Sequence, residues 1–259
     1  MLLQVEGFVA NTTDCGESDK MLTLITRRYG KLSVYARGCR KLTSKFMTAS
    51  LKFSYGDYVI NKTEKSCILN EAYAKMTFFG LRRDMVNLAL ADYVAEVTAD
   101  VIMPEEPEDQ ILELALNSIY LLSEQKKPHR TVKTAFETRL MAYLGLAPHL
   151  DCCCKCGKNE DHTFYLDIMD GTVICSKCAE KSAGSHTEEA DEGKAYIVSV
   201  LSKDAKDFMK RTAECEKTKI FANPPESIVR EIGAASERYL INQLEKNYKT
   251  LDFYKEIAD

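Results

Sequence analysis

A chain of 259 residues has room for one large domain or two to three small ones, and 45% hydrophobic with 29% charged residues excludes a disordered chain. No stretch approaches the roughly 20 apolar residues of a membrane helix. The opening MLLQVEGFVANTT lacks a basic region followed by a long apolar core, so no secretory leader is expected. The net charge of −4 argues against a polyanionic partner until its distribution is examined. Residues 1–80 hold 12 Lys+Arg against 7 Asp+Glu, and the rest hold 23 against 32, so an anionic chain has a cationic first third.

Residues 1–79 are predicted to form a small barrel. Val5 to Thr12 and Met21 to Thr26 are rich in β-formers, and Tyr29-Gly30-Lys31 marks a tight turn. Leu32, Val34 and Ala36 then alternate with Ser33, Tyr35 and Arg37, the period of a half-buried strand. Phe53 to Asn61 and Cys67 to Tyr73 complete about five short strands, which suits a closed or nearly closed barrel.

Residues 80–149 change to helical spacing. Leu81 to Glu96 forms one amphipathic stretch, Glu108 opens a second after Pro104 and Pro107, and Thr131 to Leu144 makes a third, with Gly145 at its end. Residues 150–182 are a cysteine module, and 181–194 read as a polar linker. The pattern is helical again from Ala195, with a last amphipathic helix from Ser227 to about Leu244, so 183–259 form the second part of a helical domain.

Six of the ten cysteines lie between Cys152 and Cys178, which suits metal thiolates in a reducing cytosol better than a disulfide framework. Cys153 and Cys156 form one C-x2-C pair and Cys175 and Cys178 another, with 18 residues between them. Two intervening residues let a tight turn aim both sulfurs at one ion, and four thiolates close a tetrahedral Zn²⁺ site with no position left for catalysis. Thr163 to Leu166 and Thr172 to Ile174 flank Asp170-Gly171 as a hairpin, which makes the module a zinc ribbon. Cys152 and Cys154 are alternative ligands, although only Cys153 has the x2 spacing to Cys156. A redox pair is the other reading of C-x-x-C, but it is expected once, near a βαβ unit.

From Lys20 to Lys52 there are nine basic residues and no acidic one. Arg27, Arg28, Lys31, Arg37, Arg40, Lys41 and Lys45 are the candidate phosphate contacts, with Tyr29, Tyr35 and Phe46 as candidate stacking faces. The alternative is a solvated basic face, with Tyr29 or Phe46 in the core.

In order and spacing, these segments resemble the RecO family of bacterial recombination mediators. The resemblance rests on Glu6-Gly7-Phe8-Val9, Glu17-Ser18-Asp19-Lys20, Tyr29-Gly30-Lys31-Leu32 and Ala36-Arg37-Gly38-Cys39-Arg40. It continues through Phe136-Glu137, Leu140, Leu144-Gly145 and Pro148 to the four ribbon cysteines. Leu146 stands where an aromatic is common, Cys152 and Cys154 are extra thiols, and Tyr248-Lys249-Thr250 replaces a more usual L-K-S. The resemblance implies a multidomain α+β protein: an N-terminal OB-fold β-barrel, then an α-helical domain with an inserted four-cysteine zinc ribbon. It also implies a cytoplasmic, nucleoid-associated protein that binds single- and double-stranded DNA and anneals strands. With RecR, such a protein helps load RecA onto strands coated by single-stranded DNA-binding protein (SSB).

By what is known of SSB proteins, they end in an acidic, aromatic-containing tail, for which Lys133, Phe136 and Arg139, spaced along one helix face with Arg130 nearby, are the candidate receptor; the alternative is that Phe136 is plain helical core. The competing readings are a zinc-ribbon RNA-binding or transcription-associated module and an enzyme. Enzyme chemistry is not expected: the four histidines form no HExxH, and no G-x4-G-K-[S/T] loop is present.

Overall fold

The computed structural model describes residues 1–184, 198–216 and 220–258. They form two compact units, Met1–Lys126 with Tyr248–Asp259, and Lys127–Asn247. These units cut the chain elsewhere than the boundaries expected near 79, 149 and 182. The helices after the barrel are divided between the two units.

The first unit is built on a closed barrel of β1 (Leu2–Cys15), β2 (Asp19–Thr26), β3 (Gly30–Ala36), β4 (Tyr55–Lys62) and β5 (Cys67–Met76), in the order β1-β2-β3-β5-β4. One long strand closes it: the first half of β1 pairs with β4 and the second half with β2, with a register shift between Val9 and Asn11. The alternation read from the sequence sets the interior, since Leu32, Val34 and Ala36 point inward and Ser33 outward. Leu3, Val5, Leu22, Leu24, Tyr58, Ile60 and Leu69 fill the rest.

After a 3-10 turn over Phe79–Arg83, α1 spans Met85–Val101. The helix expected from Leu81 starts four residues later because the Asp84 carboxylate accepts the amides of Val86 and Asn87, at 2.9 and 3.1 Å, as an N-cap. α1 is apolar on most sides because α2 (Asp109–Ser123), α7 (Lys249–Ala258) and β1 all pack on it. Helix α7 has no counterpart in the sequence reading. Tyr248, at its start, is buried, meets Tyr93 edge-on at 5.9 Å and donates to Asp100 at 2.9 Å.

The second unit contains α3 (His129–Tyr143), α5 (Lys203–Glu214) and α6 (Glu226–Gln243) with a three-stranded sheet in the order β7-β6-β8. β6 (Thr163–Asp167) and β7 (Val173–Cys175) are the expected hairpin. Two expectations are corrected here. Residues 198–202 are not helical but form β8 (Val198–Ser202), where Ser199 and Leu201 face inward and Val198 and Val200 outward. β-Branched valines in strict alternation pair with β6 before Ser202 caps α5. The linker expected from 181 starts later, since α4 runs from Ser176 to Gly184, and the remainder of that linker lies outside the described residues.

Candidate metal and nucleic-acid sites

Cys153 and Cys156 sit on a turn closed by the Gly157 amide, which donates to the Cys153 carbonyl at 2.9 Å. Gly157 has φ +70°, the left-handed conformation that glycine adopts without penalty. The Cys154 amide ties this turn to the sheet through the Val173 carbonyl at 2.9 Å. Cys175 ends β7 and Cys178 lies in the first turn of α4. All four Sγ atoms fall within 4.8 Å of one another, and Cys156 and Cys175 are 3.8 Å apart. A tetrahedron with metal–sulfur bonds of about 2.3 Å has edges of about 3.8 Å, so the set fits one four-coordinate ion. Cys152 and Cys154 stand outside the cluster, which selects Cys153 as the first ligand.

The surroundings favour the thiolate at Cys153 and oppose it at Cys175 and Cys178. Burial pushes the Cys153 thiol up, but amides of Cys175, Cys156 and Lys155 and the Cys156 thiol outweigh it and bring the pKa down to about 6. Without an ion, the neighbouring thiols of Cys156 and Cys175, together with burial, hold the Cys178 thiol up at about 12. Four crowded sulfurs cannot all ionise unless a cation compensates them. The Asp161 carboxylate supports the site by accepting the Ser176 hydroxyl at 2.8 Å and the His162 amide at 2.7 Å.

The basic residues of the barrel separate into two groups at opposite ends of the strands. The β2–β3 turn holds Arg27 and Arg28, and the helical side backs onto it. The Glu105 amide reaches the Tyr29 carbonyl at 3.0 Å, and a Cβ on Gly30 would overlap the Met103 and Glu106 carbonyls. Arg27 is paired with Glu6 at 3.2 Å and Glu113 at 3.4 Å, Lys52 with Asp92 at 2.7 Å, and the Lys31 ammonium donates to the Ala99 carbonyl at 2.7 Å. Of the candidates at this end, Arg28 alone is both exposed and outside the ion pairs formed by the described residues.

The other end is open. There the segment after β3 folds back onto the β1–β2 turn, with the Arg40 amide on the Ser18 carbonyl at 2.9 Å. Arg37, Arg40, Lys41 and Lys45 are exposed on this segment, and Lys20 lies at the adjoining start of β2. Arg40 pairs with Asp14 at 3.2 Å. Among the described residues, Lys20, Arg37, Lys41 and Lys45 form no ion pair. The aromatics are less available than expected: Tyr29 and Phe46 pack against the barrel core, Tyr35 is half-buried, and the barrel aromatic that stands out is Tyr73 on β5, 72% exposed.

Comparison with known proteins gives this geometry a family. The model of the recombination protein O N-terminal domain matches residues 1–75, and that of its C-terminal domain matches 82–252. The chain belongs to the recombination protein O family. Relatives named DNA repair protein RecO include that of Acetivibrio thermocellus, 30% identical over 253 residues, covering 98% of this chain and 96% of the relative. That of Bacillus subtilis is 34% identical over 181 residues, 70% of each chain. The chain therefore stands among proteins of DNA repair and recombination, a family not named for any catalytic activity. Among the described residues, no helix is long and apolar enough to cross a membrane.

Family membership does not carry over the expected tail receptor at Lys133, Phe136 and Arg139. Phe136 has no exposed surface, and Lys133 is buried with its ammonium 2.8 Å from Glu137 and 2.9 Å from Glu237. Burial opposes the Lys133 charge, but the two carboxylates outweigh it and keep the ammonium protonated. Arg139 donates to the Ala213 carbonyl and lies over the Tyr143 ring at 4.6 Å. The i, i+3 spacing reads as a surface stripe, yet the helix is covered on nearly every side from Thr131 to Thr138. The neighbouring opening is a cavity of about 430 Å³ lined by Pro128, His129, Arg130, Pro224, Glu226 and Arg230.

Proposed function

We propose that this protein binds single- and double-stranded DNA at the open end of the barrel and anneals complementary strands. In the recombination pathway it would act with RecR to help load RecA onto SSB-coated strands. The observation that carries the reading is the cluster of Lys20, Arg37, Lys41 and Lys45 at one barrel end, with no carboxylate pairing them among the described residues. Lysine and arginine in such a place displace the counterions of phosphates and bind them without regard to sequence. Two strands neutralised on one surface repel each other less, which favours pairing. No bond is made or broken, so no general acid, base or nucleophile is required.

Arg40 serves chiefly to hold the segment in place, and Arg27 and Lys31 brace the turn facing the helices, which leaves Arg28 as a peripheral contact. Zn²⁺ is the proposed ion for Cys153, Cys156, Cys175 and Cys178, because four thiolates in a tetrahedron match its preference. Its part is structural, since all four positions are taken by protein. The buried Lys133–Phe136 face is not accessible to the acidic SSB tail; Arg130 and Arg230 border the neighbouring cavity, where Glu226 pairs Arg230 at 2.6 Å, so a tail carboxylate would have to compete with Glu226 there. Membership of the recombination protein O family favours DNA over RNA as the polyanion.

The test is strand annealing and oligonucleotide binding by Lys41→Glu/Lys45→Glu. The expected outcome is a loss of both, with the thermal transition unchanged. Wild-type annealing by this variant at moderate salt would remove the barrel end as the site.

A further inference from the structure

The barrel end assigned above to DNA also bears carboxylates, which should repel a polyanion. Asp14 and Asp19 belong to the β1–β2 hairpin that supports the basic segment, and they make different contacts. Asp14 meets the Arg40 guanidinium at 3.2 Å and no part of the backbone of that segment. Asp19 reaches the segment at its root. One carboxylate oxygen accepts the Gly38 amide at 2.7 Å and the Ser18 hydroxyl at 3.1 Å, and the other accepts the Tyr35 hydroxyl.

Gly38 is the residue at which the chain reverses after β3, with φ +65°. From there the segment continues as successive turns, Lys41 amide to Gly38 carbonyl at 3.2 Å and Ser44 amide to Lys41 carbonyl at 2.9 Å. Lys41 and Lys45 project from these turns, so their positions follow from the first reversal. The Arg40 amide on Ser18 is a second backbone tie between segment and hairpin, and the Arg40 guanidinium adds a bond to the Gly16 carbonyl at 3.2 Å.

We propose that Asp19 is a positioning residue of the DNA-binding surface. Its carboxylate clasps the root of the segment from Arg37 to Lys45 onto the hairpin, so that removing this acidic side chain and its acceptor oxygens weakens DNA binding instead of strengthening it. The inference rests on the barrel end being the DNA site. Its physical basis is preorganisation. Cations already held in place need not be ordered when the polyanion arrives, and that ordering is a main cost of binding. Charge counting alone predicts the opposite sign, because one acid fewer on a cationic surface should raise affinity for phosphates.

The experiment measures binding of a dye-labelled oligothymidylate to the full chain at fixed moderate salt, with thermal melts as a check on folding. The variants are Asp19→Ala, Asp19→Asn, Asp14→Ala and Lys41→Glu. Asp19→Ala is expected to bind about tenfold more weakly and Asp14→Ala no more weakly than wild type. Asp19→Asn keeps an acceptor for the Gly38 amide and should recover most of the loss although it carries no charge. Faster hydrogen exchange at the Gly38 amide in Asp19→Ala, restored in Asp19→Asn, would locate the effect at the clasp. Equal or tighter binding by Asp19→Ala, with Lys41→Glu weakened, overturns the positioning role alone. If Lys41→Glu also binds like wild type, the barrel end is not the DNA site, and the underlying reading fails with it. Should Asp19→Ala not fold, Tyr35→Phe removes a single bond of the clasp: weaker binding supports the role and unchanged binding overturns it.

Discussion

The Arg27 guanidinium lies 3.4 Å from the Glu113 carboxylate, so a cation of the barrel is answered by an acid of α2 rather than left for a ligand. Glu6 at 3.2 Å adds a second acid to the same group. Arg27→Ala should therefore lower stability by about 1 kcal/mol, as partly exposed pairs do, and leave DNA affinity near the wild-type value. Thermal melts and oligonucleotide titrations on the same preparation check both halves. A large loss of DNA binding without loss of stability would assign Arg27 to the ligand.

Lys133 holds the buried Glu137 and the largely buried Glu237 at 2.8 and 2.9 Å. Lys133→Met removes the cation and leaves two carboxylates in a low-dielectric site, which should cost about 3–5 kcal/mol. Chemical denaturation gives the number directly. It follows that Lys133→Glu is a poor probe of partner binding, because it disturbs the packing of α3 against α6.

One ion per chain is expected in the purified protein. Cys175→Ser should abolish it, while Cys152→Ser and Cys154→Ser should retain it, because only the first belongs to the four-sulfur cluster. Strong chelators should lower the melting temperature, and added Zn²⁺ should restore it. Affinity must also fall with pH, since protons compete for the sulfurs. Elemental analysis of the three variants separates the ligands from the spare thiols.

The Tyr35 hydroxyl, the Gly38 amide and the Ser18 hydroxyl hold the Asp19 carboxyl below the usual carboxylate range. A depressed value in the folded state means that the clasp contributes stability in full above the unfolded value of about 3.9 and loses it as pH falls through the folded value. The amide proton shift of Gly38 should thus stay constant from neutral pH down to about 5 and titrate only below the ordinary aspartate range. A midpoint at or above 4 would show that the carboxylate is not engaged.

Much of this fold is legible in local pattern, and the exceptions share a cause. The alternation of Leu32, Val34 and Ala36 specifies a strand because the side-chain period of a pleated chain is two, and the paired C-x2-C turns specify a metal knuckle for an equally local reason. Arg27 looked like a ligand-binding cation because its neutralising acid Glu113 is 86 positions away. The role of Asp19 does not show in the sequence because the amide that its carboxylate accepts lies 19 positions on. Lys133 and Arg139 are polar letters on a helix that the fold buries, a case in which long-range pairing overrides the amphipathic rule. Tyr248 seemed a departure at the end of the chain, and its reason is equally remote, the partners Tyr93 and Asp100 on α1.

The most direct test is to map an oligonucleotide onto the chain by amide shift perturbation at low and moderate salt. The account predicts that the largest changes fall on residues 16–20 and 37–45, shrink as salt rises, and leave the β2–β3 turn little affected. Perturbations centred on the β2–β3 turn, or confined to residues 127–247, would contradict it.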